Sequence, residues 1–242
     1  MPGFVFYRGP SKLDGAPIVA IATLESANGK TGDMIQTWIL REDISPLDAI
    51  QSGQDASICG DCQHRGAPGR KRTCYVDIGK APQGIWLAYH RGIYPDLSGD
   101  PATQRALVAG RKSRLGSYGD PYPVPVWAWR PILVGSDDHT GYSHQWKRPQ
   151  AQYLRPYVMA SVDSAPERDL AHSMGWRTFR VRAETEPLAK REIACPASPE
   201  GGNRKQCISC TACDGTSRGA RQASVAIIVH GKASKHFQTV TA

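Results

Sequence analysis

The residues best suited to chemistry are seven cysteines, and their spacing sorts them into two groups. Cys59 and Cys62 form a C-x2-C knuckle, with His64 two positions on and Cys74 after nine intervening residues. Three sulfurs and an imidazole suit tetrahedral zinc. Gly60, Gly66 and Gly69 let the backbone turn tightly around such an ion. Cys195, Cys207, Cys210 and Cys213 follow as C-x11-C-x2-C-x2-C. Four thiolates hold either zinc or an iron–sulfur cluster. The tight C-x2-C-x2-C run leans toward iron–sulfur, and the Gly-Gly-Asn-Arg-Lys insertion toward the loop of a zinc ribbon. The expectation is two zinc sites, in insertions at 57–75 and 195–215, with an iron–sulfur cluster as the alternative at the second. The cysteine count is odd and the first residues lack a signal-peptide pattern, so ligand thiols are expected rather than disulfides. With all four positions of each set filled by protein, both metals would be structural, and any chemistry would lie elsewhere.

Acid–base candidates sit where predicted strands end. Asp120 follows the strand at 111–118, His144 lies near the end of 140–146, and Asp163 closes 155–164. Two carboxylates on neighbouring strand ends can divide nucleophile and general-base roles. His144 beside Trp146 reads as a proton shuttle or a base reader. The bland alternatives are a turn for Asp120 before Pro121, a helix cap for Asp163, and a packed core edge for His144. The segment Asn28–Asp33 contains Gly-Lys-Thr but lacks the upstream glycine of a P-loop, so nucleotide hydrolysis is not expected.

These residues must be positioned by an α/β framework. Apolar extended runs at 17–24, 34–40, 176–183 and 223–231 read as strands. Ser45-Pro46, Asp100-Pro101 and Ser164 before 165–175 carry the cap chemistry of helix starts, and a further helix is expected at 81–92. The run 124–135 is helical at its start, with Pro131 predicted to end or kink it. Strand–helix–strand spacing, best formed over 155–183, predicts parallel βαβ units. The fold expected is one α/β domain over 1–242, a parallel (β/α) barrel or incomplete barrel with two cysteine-rich metal-binding loops.

The formal net charge is +8, unevenly placed. Residues 1–62 hold four Lys/Arg against eight Asp/Glu, leaving a body with 26 against 14. Lys30, Arg111, Lys112, Arg114, Lys147 and Arg148 are candidate phosphate contacts, and nucleic acid, DNA first, is the expected partner. No run of apolar residues is long enough to span a membrane, and a cytoplasmic protein is expected.

KTGDMIQTWIL, the CGDCQHR…TCYV loop, GSYGDP, GYSHQW, MASVDS, GWRTFRV and CPAS…CISCTAC together resemble a family of uncharacterised phage-encoded cysteine-rich proteins, over most of residues 28–215. That resemblance implies a phage protein in the cytoplasm of an infected host. At the level of fold the chain is also similar to tRNA-guanine transglycosylases and their DNA-modifying phage relatives, zinc-bearing barrels that exchange a base with two aspartates. The likeness implies a DNA base-modifying transferase with Asp163 as nucleophile and Asp120 as base-recognising group or base catalyst. Two other function classes stay open: a zinc-stabilised DNA-binding or host-inhibiting protein without chemistry, and an iron–sulfur redox or radical enzyme.

Overall fold

The computed structural model describes residues 1–67, 69–219 and 223–237. The chain opens with an antiparallel meander: β1 (Gly3–Pro10), β2 (Pro17–Thr23) and β3 (Ile35–Arg41). Two short helices, α1 (Pro46–Gln51) and α2 (Ala56–Cys59), lead into the first cysteine loop. Then come α3 (Ala81–His90), α4 (Pro101–Val108), β4 (Lys112–Tyr118), α5 (Val126–Gly135) and β5 (Asp138–Ser143). The unit β6 (Met159–Val162), α6 (Ala165–Ser173) and β7 (Thr178–Arg182) comes next. Last are β8 (Glu192–Ala194), α7 (Cys207–Cys210) and β9 (Ser224–Ile228).

Among the described residues, nine strands join one sheet in the order β1-β2-β3-β4-β5-β6-β7-β9-β8, parallel from β3 onward. Nearly sequential neighbours joined through helices are what right-handed crossovers produce. The fold is therefore α/β with a mostly parallel sheet, and among the described residues that sheet is open. No described helix is long and apolar enough to cross a membrane.

Local chemistry explains most boundaries. Ser45, Asp100 and Ser164 accept the amides of Asp48, Thr103 and Glu167 and start α1, α4 and α6, each with a proline in the first turn. Pro131 does not end the helix as expected: α5 continues to Gly135. The amide that proline lacks would have paired with the carbonyl of Trp127, a residue 60% exposed and free to use water, while Pro131 itself is buried. The strand expected at 140–146 stops at Ser143 and gives way to a 3₁₀ turn over Gln145–Lys147. Two strands went unpredicted, β1 and the three-residue β8.

The join between β3 and β4 is irregular, and it sets the shape of the strand ends beyond it. Gln36 pairs with Arg114 and Trp38 with Tyr118, so β4 spends two extra residues in a bulge. Thr37 repairs the ladder there: its Oγ1 accepts the Gly116 amide at 2.9 Å and donates to the Arg114 carbonyl at 2.9 Å. Gly116 has φ +72°, and a Cβ there would sit 2.7 Å from the Gly119 oxygen. Only glycine fits.

Candidate functional site

One cavity of about 430 Å³ is lined by residues of β3, β4, β5, β6, β7 and β9, and all seven cysteines reach it. Its walls include Tyr142 and Phe179, ring centroids 4.2 Å apart, with Val225 and Ile227. An apolar pocket of that size with few converging polar groups is how small-molecule sites are built.

At one end, three elements deliver His64, His144 and Asp163. His144 directly follows β5 and Asp163 directly follows β6, the carboxyl ends of parallel strands where such folds place function. His64 comes from the cysteine loop. That loop is docked by backbone: the Asp120 amide donates to the Ile58 carbonyl at 2.7 Å, and Gln145 Nε2 to the Cys59 carbonyl at 3.2 Å. Gly60 has φ +54°, a backbone conformation that favours glycine, and a Cβ there would also press on the Gln145 side-chain amide.

Asp163 is 2% exposed. Its Oδ1 is 2.7 Å from His64 Nε2, and its Oδ2 is 3.7 Å from His144 Nε2. That separation is too long for a hydrogen bond, so Oδ2 has no hydrogen-bond partner and faces His144 only as an ion pair. His64 Nδ1 meets Thr73 Oγ1 at 2.8 Å, and Phe237 stacks on its ring. Burial works to raise the Asp163 pKa, but the two imidazoles outweigh it and hold the carboxyl well below its usual range. Burial likewise opposes charge on His144, and Cys62 and Asp163 overcome it, lifting that imidazole well above its ordinary value. Asp163 does not cap α6; Ser164 does, and Glu167 takes the Asp163 amide at 3.0 Å, which leaves the carboxylate to the two imidazoles.

The expected partnership of Asp120 with Asp163 takes an indirect form. Asp120 is buried and accepts the amides of Tyr122 and His144 and the Ser143 hydroxyl, at 2.9, 2.7 and 2.8 Å. It holds His144 by the backbone while Asp163 faces the ring. Burial pushes the Asp120 pKa up.

His64, expected as the fourth ligand beside Cys59, Cys62 and Cys74, has Asp163 and Thr73 as its partners, because a buried carboxylate draws the ring N–H. The imidazole that meets a thiol is His144, 3.8 Å from Cys62 Sγ. Among the described residues, the one group of three or more His, Cys, Asp or Glu ligand atoms lying within 4.8 Å of one another is His64, His144 and Asp163. Neither cysteine set is gathered that closely. All seven cysteines are free thiols. Burial raises the pKa of Cys59, Cys74, Cys195 and Cys213, so without a cation these sulfurs stay protonated.

Of the six candidate phosphate contacts, three pair with carboxylates and three meet uncharged groups. Arg111 pairs with Asp33 at 3.2 Å, Lys147 with Glu167 at 2.5 Å and Arg148 with Asp61 at 2.7 Å. Lys112 donates to the Ile208 carbonyl at 3.0 Å. Arg114 is buried against Tyr75, and Lys30 Nζ lies 3.4 Å from His230 Nε2. Sequence reasoning missed Thr73, Thr37 and Phe237, whose roles depend on contacts that no spacing announces.

These features define an α/β protein with a mostly parallel sheet and a thiol-lined cavity along one face of its strands. The chain matches no family model, no curated protein and no solved structure.

Proposed function

We propose that this chain is a metal-dependent enzyme acting on a small polar molecule of nucleoside size in the cavity, with its reactive ion held by His64, His144 and Asp163. In this reading β3–β7 and β9 form an incomplete (β/α) barrel whose concave side is the cavity, as lining by all six strands supports. The observation that carries the proposal is the buried Oδ2 of Asp163, which has no hydrogen bond and lies 3.7 Å from His144 Nε2. An unpaired buried carboxylate oxygen is costly, and a cation offsets that cost.

The donor set fits. Bonds of about 2.1 Å place neighbouring donors roughly 3.0–3.5 Å apart, between the 2.7 and 3.7 Å separations here. Two imidazoles and one carboxylate leave positions open for substrate and suit zinc or ferrous iron. An ion would replace the proton that joins His64 to Asp163, so binding releases a proton. Thr73 orients His64 and Asp120 fixes His144 from behind, as outer-shell partners do. Gln36, Ser117, Thr140 and Ser161 offer polar contacts along the walls.

The base-exchange chemistry implied by resemblance to transglycosylases would need Asp163 free to attack a sugar carbon. Its close contact with His64 favours the ligand role instead. The pairing of Arg111, Lys147 and Arg148 with carboxylates likewise favours a single nucleoside-sized unit over a tracked duplex. The test is metal content after anaerobic purification. Wild type is expected to carry one ion that His144→Ala and Asp163→Asn both lose while remaining folded. Wild-type metal content in both variants would refute the reading.

A further inference from the structure

The other end of the same cavity is built differently. Lys30 and Arg114 face it, and among the described residues neither has a carboxylate within 4.0 Å, unlike Arg177, Arg180 and Arg182, which are paired with Asp214, Glu192 and Glu200. Arg114 is 8% exposed, its guanidinium 2.7 Å from the Tyr75 hydroxyl and 5.4 Å from the centre of the Tyr142 ring. Two cations lining one cavity without an anion are as incomplete as an orphaned carboxylate.

Beyond His230 beside Lys30 and Tyr75 and Tyr142 beside Arg114, the thiols of the same cavity wall act on both cations. Lys30 interacts electrostatically with Cys195, Cys207 and Cys213, and Arg114 with Cys207. The segment is fastened to this spot: the amides of Cys207 and Ile208 donate to the carbonyls of Lys30 and Thr31 at 3.0 Å each, and the Cys213 carbonyl accepts the Gly141 amide at 3.0 Å. Cys195 and Cys213 are buried with Met159, Val225 and Ile227. As thiols, these four sulfurs leave the cations uncompensated. As thiolates around a metal core, they supply the missing anion.

We infer that Cys195, Cys207, Cys210 and Cys213 bind a four-iron iron–sulfur cluster, with Lys30 and Arg114 as its fixed counter-charges. A resting cubane core with four thiolates carries roughly two net negative charges, matching the two cations. A lone zinc has the same charge but different dimensions. Zn–S bonds of about 2.3 Å set sulfurs about 3.8 Å apart, whereas no three of these sulfurs lie within 4.8 Å of one another. A cluster spaces its thiolates more widely, because each binds a different iron. The inference does not depend on the His64, His144 and Asp163 ion.

The experiment measures iron, acid-labile sulfide, zinc and visible absorption on protein purified without oxygen. Wild type is expected to be brown, with roughly four irons and four sulfides at this site. Cys207→Ser and Cys210→Ser, at partly exposed positions, should each remove that iron with the fold retained by circular dichroism. Arg114→Met combined with Lys30→Met should cut cluster content about tenfold, the low end for losing outer-shell partners, while Arg114→Lys keeps the charge and the cluster. Asp163→Asn should leave this iron in place, which separates failure here from failure of the first proposal. Stoichiometric zinc without iron would overturn the inference, as would iron surviving both cysteine variants. A full cluster in the Lys30, Arg114 double variant would overturn the counter-charge role.

Discussion

The two ends of the cavity share sulfur and differ in everything around it. At one, Cys59, Cys62 and Cys74 stand beside His144, His64 and Asp163, groups that can gain or lose protons. At the other, Cys195, Cys207, Cys210 and Cys213 share the cavity wall with Lys30 and Arg114. Under the two proposals, the first end is where substrate reacts and the second is where a bound cluster holds charge. Chemistry at a site is read from its neighbours more than from its cysteines.

The largest effect would break this contrast outright. Asp163→Asn is expected to abolish the ion at the His/Asp end while sparing metal at the four-thiol end, and Cys207→Ser to do the reverse. Elemental analysis of the two proteins side by side checks it; coupled losses in both would merge the ends into one site.

Next in size is Glu192→Gln. Arg180 grips Glu192 through two bonds of 2.9 and 2.7 Å, both side chains nearly inaccessible, three residues before Cys195. Breaking such a pair costs about 3–5 kcal/mol, read by denaturant unfolding. Burial alone would raise the Glu192 pKa, but Arg180 and the Ala189 amide hold it below its usual value. Its stabilisation is therefore complete above the unfolded value of about 4.3 and lost as pH falls through the lower folded value. Acid unfolding followed from about pH 6 downward should be steeper in wild type than in Glu192→Gln.

Smaller effects sharpen the picture at the His/Asp end. Gly119→Ala places a Cβ 2.7 Å from the Ile39 side chain at φ +81°. It should cost about 1–3 kcal/mol and loosen Asp120 behind His144, seen as weaker metal retention. Ser164→Ala removes the α6 cap for about 1 kcal/mol, visible as a modest fall in Tm. Its metal content should be unchanged, since Asp163 takes no part in capping.

Helix starts were the most legible part of this chain, because Ser45, Asp100 and Ser164 act on amides only three residues away. The βαβ unit at 155–183 was legible for a related reason: β6, α6 and β7 are consecutive, and β6 pairs in parallel with β7. The strand-end positions of Asp120, His144 and Asp163 came from that same reading. What joins them did not. His64 and Asp163 are 99 residues apart, and Arg148 and Asp61 are 87 apart, so no local pattern encodes either pair. Lysines and arginines read as a free basic face for this reason, their carboxylate partners lying far along the chain. β1 escaped prediction because Gly9 and Pro10 end a run whose partner, β2, alone makes it a strand.

The bulge in β4 constrains how this protein can change. Between its two pairings with β3, β4 advances four residues while β3 advances two. Through this bulge Arg114, Ser117 and Tyr118 all face the same cavity. Deleting or inserting a single residue between them would turn Tyr118 outward and carry Asp120 off the His144 amide. Length variation can accumulate in the long excursion between Cys195 and Cys207. From Leu115 to Gly119 the chain tolerates no change in length at all.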